Sequence, residues 1–126
     1  MCGIIGFISK KEVSEDIYSG LLSLQHRGQD AAGITTFDGE FHAIKEAGLV
    51  SHVFSKENLK KLKGNLGIGH VRYPTVGTIL KQDAQPFHTL LPSLISIAQN
   101  GNLVNYKQLK DDLLKQNEEV YSAALL

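Results

Sequence analysis

Cys2-Gly3-Ile4-Ile5-Gly6-Phe7-Ile8 is an apolar run directly behind the initiator methionine. Its length and its isoleucines read as a buried strand, since a helix needs a longer segment of 3.6-fold periodicity. The next segment changes period. Ser14 is the expected N-cap, Glu15 and Asp16 fall in the first turn, Ile17, Leu21 and Leu24 recur at helical spacing, and Gly28 stops the helix. Two strand-like runs, Ala31 to Phe37 and Glu40 to Ala47, flank Asp38-Gly39, the pattern of a β-hairpin. Ser55 to Lys63 predicts a short exposed helix whose lysines form a solvated face. Leu66 to Val71 and Leu94 to Ala98 predict further buried strands, with Pro74, Gly77 and Pro86 punctuating the loop between them. Asn105 followed by Gln108 predicts a capped helix with Leu109, Leu113 and Leu114 on its inner face. Strands with interspersed helices and a central hairpin give an α+β or layered α/β class with a mostly antiparallel sheet.

The chain has 126 residues, 42% of them hydrophobic, enough for one compact domain with an apolar core. Lys and Arg number 13, as do Asp and Glu, so nothing in the charge supports nucleic-acid binding. The apolar runs are too short to span a bilayer. No basic segment precedes Cys2, and Lys10, Lys11 and Glu12 follow soon after, unlike a signal peptide. Cys2 is the single cysteine, which excludes an internal disulfide and fits a reducing cytoplasm. His26, His42, His52, His70 and His88 show no metal-ligand spacing, so no structural zinc site is expected.

A cysteine next to Met1 is open to a specific chemistry. Its small side chain permits removal of Met1 by an aminopeptidase, which leaves a free α-amino group. Such amines titrate at about 7.7–8.0 and thiols at about 8.5, so the amine can accept the thiol proton near neutral pH. Nucleophile and general base then belong to one residue. The same cysteine also reads as a small hydrophobe at the start of a core strand.

Three further clusters bear on that choice. His70-Val71-Arg72-Tyr73-Pro74-Thr75 puts an arginine where a strand opens into a loop, either a surface charge or a bidentate clamp for a carboxylate. Asn100-Gly101-Asn102 follows a strand-like run. It reads as a tight turn, or as an oxyanion hole built from an Asn amide and a Gly N–H. Gln25-His26-Arg27-Gly28-Gln29-Asp30 crowds polar groups at a helix end, more than a helix stop requires, though a solvated loop would also accommodate them.

These blocks together resemble the type-2, or N-terminal-nucleophile (Ntn), glutamine amidotransferases. Cys2-Gly3-Ile4-Ile5-Gly6 is similar to that family's opening. Leu24 to Ile34, Gly69 to Thr75 and Gln99-Asn100-Gly101-Asn102-Leu103 are similar to its later blocks, in the same order. His26 and Tyr73 favour the purine-forming branch, because the hexosamine-forming branch usually has Tyr and Trp there. The resemblance implies an Ntn-hydrolase αββα four-layer sandwich of two antiparallel sheets, with Cys2 opening a central strand. It implies glutamine hydrolysis through a γ-glutamyl thioester on Cys2, with the ammonia passed to phosphoribosyl diphosphate in the first step of purine synthesis. Arg72, with Thr75, would hold the glutamine α-carboxylate; Asn100 and Gly101 would form the oxyanion hole; Arg27 and Gly28 would shape the pocket. No cofactor is implied for this domain, and Mg2+ only for a phosphoribosyltransferase half. Glutamine is the implied small-molecule partner, and full-length members are homo-oligomers.

Two departures qualify the resemblance. Gln99 stands where the family usually has His before the oxyanion Asn. A short Ser-Asp-Thr-Glu-like block, whose Asp receives the substrate's α-amino group, has no counterpart after the last helix, where Glu118 to Leu126 stands instead. Residues 1–126 therefore read as the N-terminal part of a glutaminase domain, incomplete at its C-terminus and without the phosphoribosyltransferase domain. The alternative reading is an inactive remnant that at most binds glutamine or a partner.

Overall fold

A computed structural model of the chain describes residues 1–73, 83–90 and 92–116. In order, these form β1 (Gly3–Ile8), α1 (Ser14–Leu24), a 3-10 turn (Gln25–Arg27), β2 (Ala31–Phe37), β3 (Phe41–Ala47), α2 (Val50–Val53), α3 (Lys56–Leu59), β4 (Leu66–Arg72), β5 (Phe87–Thr89), β6 (Ile95–Ile97) and α4 (Tyr106–Lys115). The first sheet has the order β1-β4-β2-β3, and every neighbouring pair is antiparallel. β5 and β6 pair antiparallel as a second, two-stranded sheet. The class is α+β with two antiparallel sheets, as expected.

Packing on one face of the first sheet sets what the other face displays. Ile17 and Leu21 of α1 are fully buried against Ala32, Ile34 and Val71. They reach β4 at Gly67 and Gly69, where a Cβ on Gly69 would stand 2.5 Å from Ile17 Cγ2 and 3.0 Å from Leu21 Cδ1. Side chains alternate along a strand, so Ile68, His70 and Arg72 point to the opposite face. The second sheet lies on that side. Lys45 Nζ sits 4.3 Å from the centre of the Phe87 ring, and the Phe41 and His88 rings lie 5.3 Å apart. Burial lowers the Lys45 pKa from its ordinary value, against the opposing charge of Asp83. A cavity of about 230 Å³ between the sheets, lined by Thr35, Phe41, Leu66, Ile68, Leu94 and Ser96, lies toward the end of β4 away from Arg72.

Several sequence expectations are revised. β1 forms, but of its residues only Gly3 is buried, and Ile4, Phe7 and Ile8 are exposed. Among the described residues β1 is an edge strand, not a central one, with β4 as its one hydrogen-bonded neighbour. Ser14 is the first helical residue; Val13 is the N-cap, with no side-chain cap bond, and its N–H donates to Gly64 O at 3.1 Å. Ser55 does cap, in a reciprocal capping box with Asn58 that starts α3. α2 and β5 had no clear sequence signal because each spans a single turn or three residues. β6 has both isoleucines half exposed, and Leu109, Leu113 and Leu114 of α4 are 40%, 43% and 50% exposed. That leucine stripe has no element packed closely over it among the described residues, and Asn105 makes no side-chain cap bond. Pro74, Gly77 and residues 118–126 lie outside the described residues. None of the described helices is long and apolar enough to cross a membrane.

Ile17 is fully buried between α1 and β4. Ile17→Ala is expected to destabilise the protein by about 2–5 kcal/mol, read as a lowered urea midpoint at unchanged slope.

Candidate active site

Cys2 stands at the mouth of β1, half buried. The register pairs Gly3 with Val71, so one step outward Cys2 lies opposite Arg72 on the face turned away from α1. Two contacts hold the cysteine. Its thiol lies 3.9 Å from the Tyr73 carbonyl oxygen, and its main-chain N–H donates to Asn100 Oδ1 at 3.3 Å. Met1 is present in the structure, so this N–H is a peptide group standing in for the α-amine that removal of Met1 would leave. Met1 itself is 71% exposed.

The polar cluster after α1 holds the same corner together. Arg27 Nε donates to the Cys2 carbonyl at 3.0 Å. Gln25 Nε2 donates to the Gly28 carbonyl, while Gln25 Oε1 accepts the Val50 N–H at 2.7 Å and so satisfies a free donor in the first turn of α2. Gly28 packs directly on the main chain of Arg72: a Cβ there would lie 2.6, 2.7 and 2.8 Å from the Arg72 C, O and N atoms. Next to it, Asp30 N–H donates to Arg72 O at 3.2 Å. Gln25, His26 and Arg27 of this loop therefore all meet backbone groups, the exposed His26 through Nδ1, 3.1 Å from Ser23 O.

Arg72 Nη1 donates to the Asp83 carbonyl oxygen at 2.5 Å. A guanidinium carries five N–H donors in a planar fork, so this bond fixes its orientation while committing one of them. Asn100 and Gly101 are exposed on the same side, following β6. Cys2, Arg27, Gly28, Arg72 and Asn100 are thus brought together from segments far apart in sequence, with Gly101 adjacent in the chain; Thr75 lies outside the described residues. No group of three or more His, Cys, Asp or Glu side chains suited to a metal ion occurs among the described residues.

Two residues without a sequence-assigned role complete the corner. His70 is fully buried, and its Nε2 lies 3.1 Å from the Gln99 carbonyl oxygen. A carbonyl only accepts, so Nε2 carries the proton and Nδ1, which has no partner among the described residues, does not. Burial pushes the His70 pKa down to about 4; the Gln99 bond opposes the shift and the nearby Arg72 charge adds to it. Gln85, also buried, accepts the Gln99 N–H on Oε1 at 2.7 Å. His70 was visible within a motif, but only its contact with Gln99 gives it a task. Gln85 carried no sequence signal.

Comparison with known proteins finds relatives that match most of this chain. The chain is 50% identical over 117 residues to the amidophosphoribosyltransferase of Haemophilus influenzae, a match covering 91% of this chain and 23% of that protein. The Escherichia coli amidophosphoribosyltransferase is 48% identical over 118 residues, covering 92% and 23%. Over nearly its whole length the chain is similar to part of the amidophosphoribosyltransferases. It spans about a quarter of the length of these relatives. Among solved structures, the glutamine phosphoribosylpyrophosphate amidotransferase from B. subtilis, complexed with ADP and GMP, superposes with a TM-score of 0.83 at 40% identity. That match covers 98% of this chain and 27% of the other. A second structure, described as the allosteric regulatory enzyme of purine biosynthesis, superposes with a TM-score of 0.85 at 40% identity over 95% of this chain and 26% of its own. No family model matches. The amidophosphoribosyltransferase likeness places the two-sheet architecture in the Ntn-hydrolase fold.

Two outcomes test this geometry. Gly28→Ala is expected to push the Arg72 backbone away from the loop and lower stability by about 1–3 kcal/mol in denaturant melts. The folded protein keeps His70 neutral down to about pH 4, whereas an unfolded chain protonates histidine near 6.5. The unfolded state therefore takes up a proton first, and stability falls as pH drops from 6.5 to about 4, by about 3 kcal/mol in all. In His70→Gln that part of the pH dependence disappears, measured as the difference in unfolding free energy between the two variants across the window.

Proposed function

We propose that this chain forms the glutamine-hydrolysing site of an amidophosphoribosyltransferase, with Cys2 as nucleophile. The observation that carries the reading is the placement of Cys2 N beside Asn100 Oδ1 and of its thiol beside the Tyr73 carbonyl. Once Met1 is removed, the α-amine donates one N–H to Asn100 and keeps its lone pair for the thiol proton. The thiolate attacks the side-chain carbonyl carbon of glutamine. Charge collects on the carbonyl oxygen, where Asn100 Nδ2 and the Gly101 N–H receive it. The protonated amine returns its proton to the leaving nitrogen, ammonia departs, and a γ-glutamyl thioester stays on Cys2. Water then attacks the thioester, releasing glutamate and restoring the thiol. Arg72, with Thr75, holds the substrate α-carboxylate; Arg27 anchors the nucleophile through its carbonyl, and Gly28 keeps Arg72 in place beside it.

In this reading residues 1–126 are the first part of a glutaminase domain in the cytoplasm, acting within a homo-oligomer. The ammonia would be transferred to phosphoribosyl diphosphate in the first step of purine synthesis. Mg2+ would serve that transfer step, and none of the residues above is assigned to it.

A diazoketone analogue of glutamine (6-diazo-5-oxo-L-norleucine) should alkylate the folded protein once, and mass spectrometry of the digest should locate the adduct on Cys2. Protein retaining Met1 and the Cys2→Ala variant should both remain unlabelled and release no ammonia from glutamine above background. An unlabelled Cys2 in folded protein that has lost Met1 would sink the reading.

A further inference from the structure

Directly before Asn100, the main chain of Gln99 is gripped on both sides by side chains from elsewhere. Its carbonyl oxygen meets His70 Nε2 at 3.1 Å, and its N–H meets Gln85 Oε1 at 2.7 Å. The β5–β6 register explains the second contact. Phe87 pairs with Ile97, so two residues outward Gln85 stands opposite Gln99. The Gln85 carbonyl is turned against Gly33 of β2, so closely that a Cβ on Gly33 would collide with Gln85 O. The Gln85 side chain, and not its main chain, is the acceptor for the Gln99 N–H. Gly33 is also the register partner of His70 on β4, so the two grips rise from one point of the first sheet.

We infer that His70 and Gln85 are positioning residues for the oxyanion side of the site: they clamp the peptide groups on either side of the Gln99 Cα and so fix where Asn100 and Gly101 stand relative to Cys2. The inference deepens the glutaminase reading and rests on it. Both side chains are buried, at 0% and 4% exposure, whereas Asn100 is exposed and touches Cys2 through one bond of 3.3 Å. An exposed amide holds a defined position only if its backbone does. β6 ends at Ile97, so its ladder stops short of Gln99 and cannot provide that. The clamp also separates two functions of the site. It reaches the group that meets charge only in the transition state, while Arg72, the carboxylate clamp, is held independently by Asp83 and Gly28.

The separation has a kinetic signature. An interaction realised only in the transition state lowers kcat when lost and leaves KM unchanged. In the full protein, His70→Leu and Gln85→Met each remove one grip. Each is expected to lower kcat for glutamine hydrolysis by roughly 10- to 100-fold, the scale of a 1 Å misplacement, with KM for glutamine within about threefold. His70→Gln keeps an N–H donor near the Nε2 position and is expected to recover most of the lost kcat. The double variant should lose little more than either single one, since both act on one residue's main chain. If His70→Leu does not fold, Gln85→Met tests the same residue from its other side. Unchanged kcat in a folded single variant overturns the inference, as does a rise in KM at constant kcat. Amide hydrogen exchange separates this outcome from failure of the glutaminase reading. The Gln99 N–H should be protected in the parent protein and exchange at least tenfold faster in Gln85→Met, with the β4 amides unchanged. Parent protein that releases no ammonia while showing this protection refutes the glutaminase reading and leaves the clamp standing; a Gln99 N–H that exchanges freely in the parent removes the clamp itself.

Discussion

Antiparallel pairing of β4 with β1 on one side and β2 on the other is the constraint on which the arrangement rests. β4 has to serve two layers. Its Gly67, Gly69 and Val71 accept the buried side chains of α1, and alternation then delivers Ile68, His70 and Arg72 to the opposite face. A slip of one residue in either pairing would exchange the two sets, sending Arg72 into the helix interface and Val71 to the site. The apolar interface makes that slip costly, because it would bury a guanidinium and a histidine against Ile17 and Leu21 in place of two glycines and a valine. The position of Arg72 thus follows from hydrophobic packing on the other side of the sheet.

Around this frame the site is held mostly by main-chain contacts. Arg27 bonds the Cys2 carbonyl, Gly28 lies on the Arg72 backbone, Asp30 N–H meets Arg72 O, and Gln25 ties the Gly28 carbonyl to the start of α2. Such contacts suit a residue near a chain end, which has little preceding segment to restrain it and would fray unless its own backbone were bonded. The Cys2 carbonyl, N–H and thiol are all engaged, by Arg27, Asn100 and the Tyr73 carbonyl, so the half-buried residue is anchored on every polar group.

Much of this was legible in the residues. The change from a short apolar run to a 3.6-fold pattern and then to an Asp-Gly turn is local, and local preferences suffice for β1, α1 and the β2–β3 hairpin. The candidate residues were also visible, since a cysteine beside Met1, an arginine at a strand mouth and an Asn-Gly pair each carry chemistry in their own side chains. Where the sequence reading erred, the cause was a neighbour it could not foresee. The isoleucines of β1 look like core, yet edge placement leaves most of them exposed among the described residues. Ser14 looks like a cap, yet Val13 takes that place because its N–H is bonded to Gly64 across the fold.

The sequence by itself determined most of the elements, the candidate residues and the blocks of resemblance, because these depend on side-chain chemistry and on spacing along one segment. Only the tertiary structure decided what holds those groups in place. Gln85 is unremarkable as a letter and Gln99 stood out only as a departure from a motif; their contact comes from a register that makes them face each other where a strand ladder has just ended. Gly33 acquires its role from a carbonyl more than fifty residues away that needs the space of its missing Cβ. His70 becomes a fixed, neutral donor because burial from several directions removes the water that would let it protonate. Each of these is a contact between segments distant along the chain, and such contacts exist only once the two sheets have been brought together.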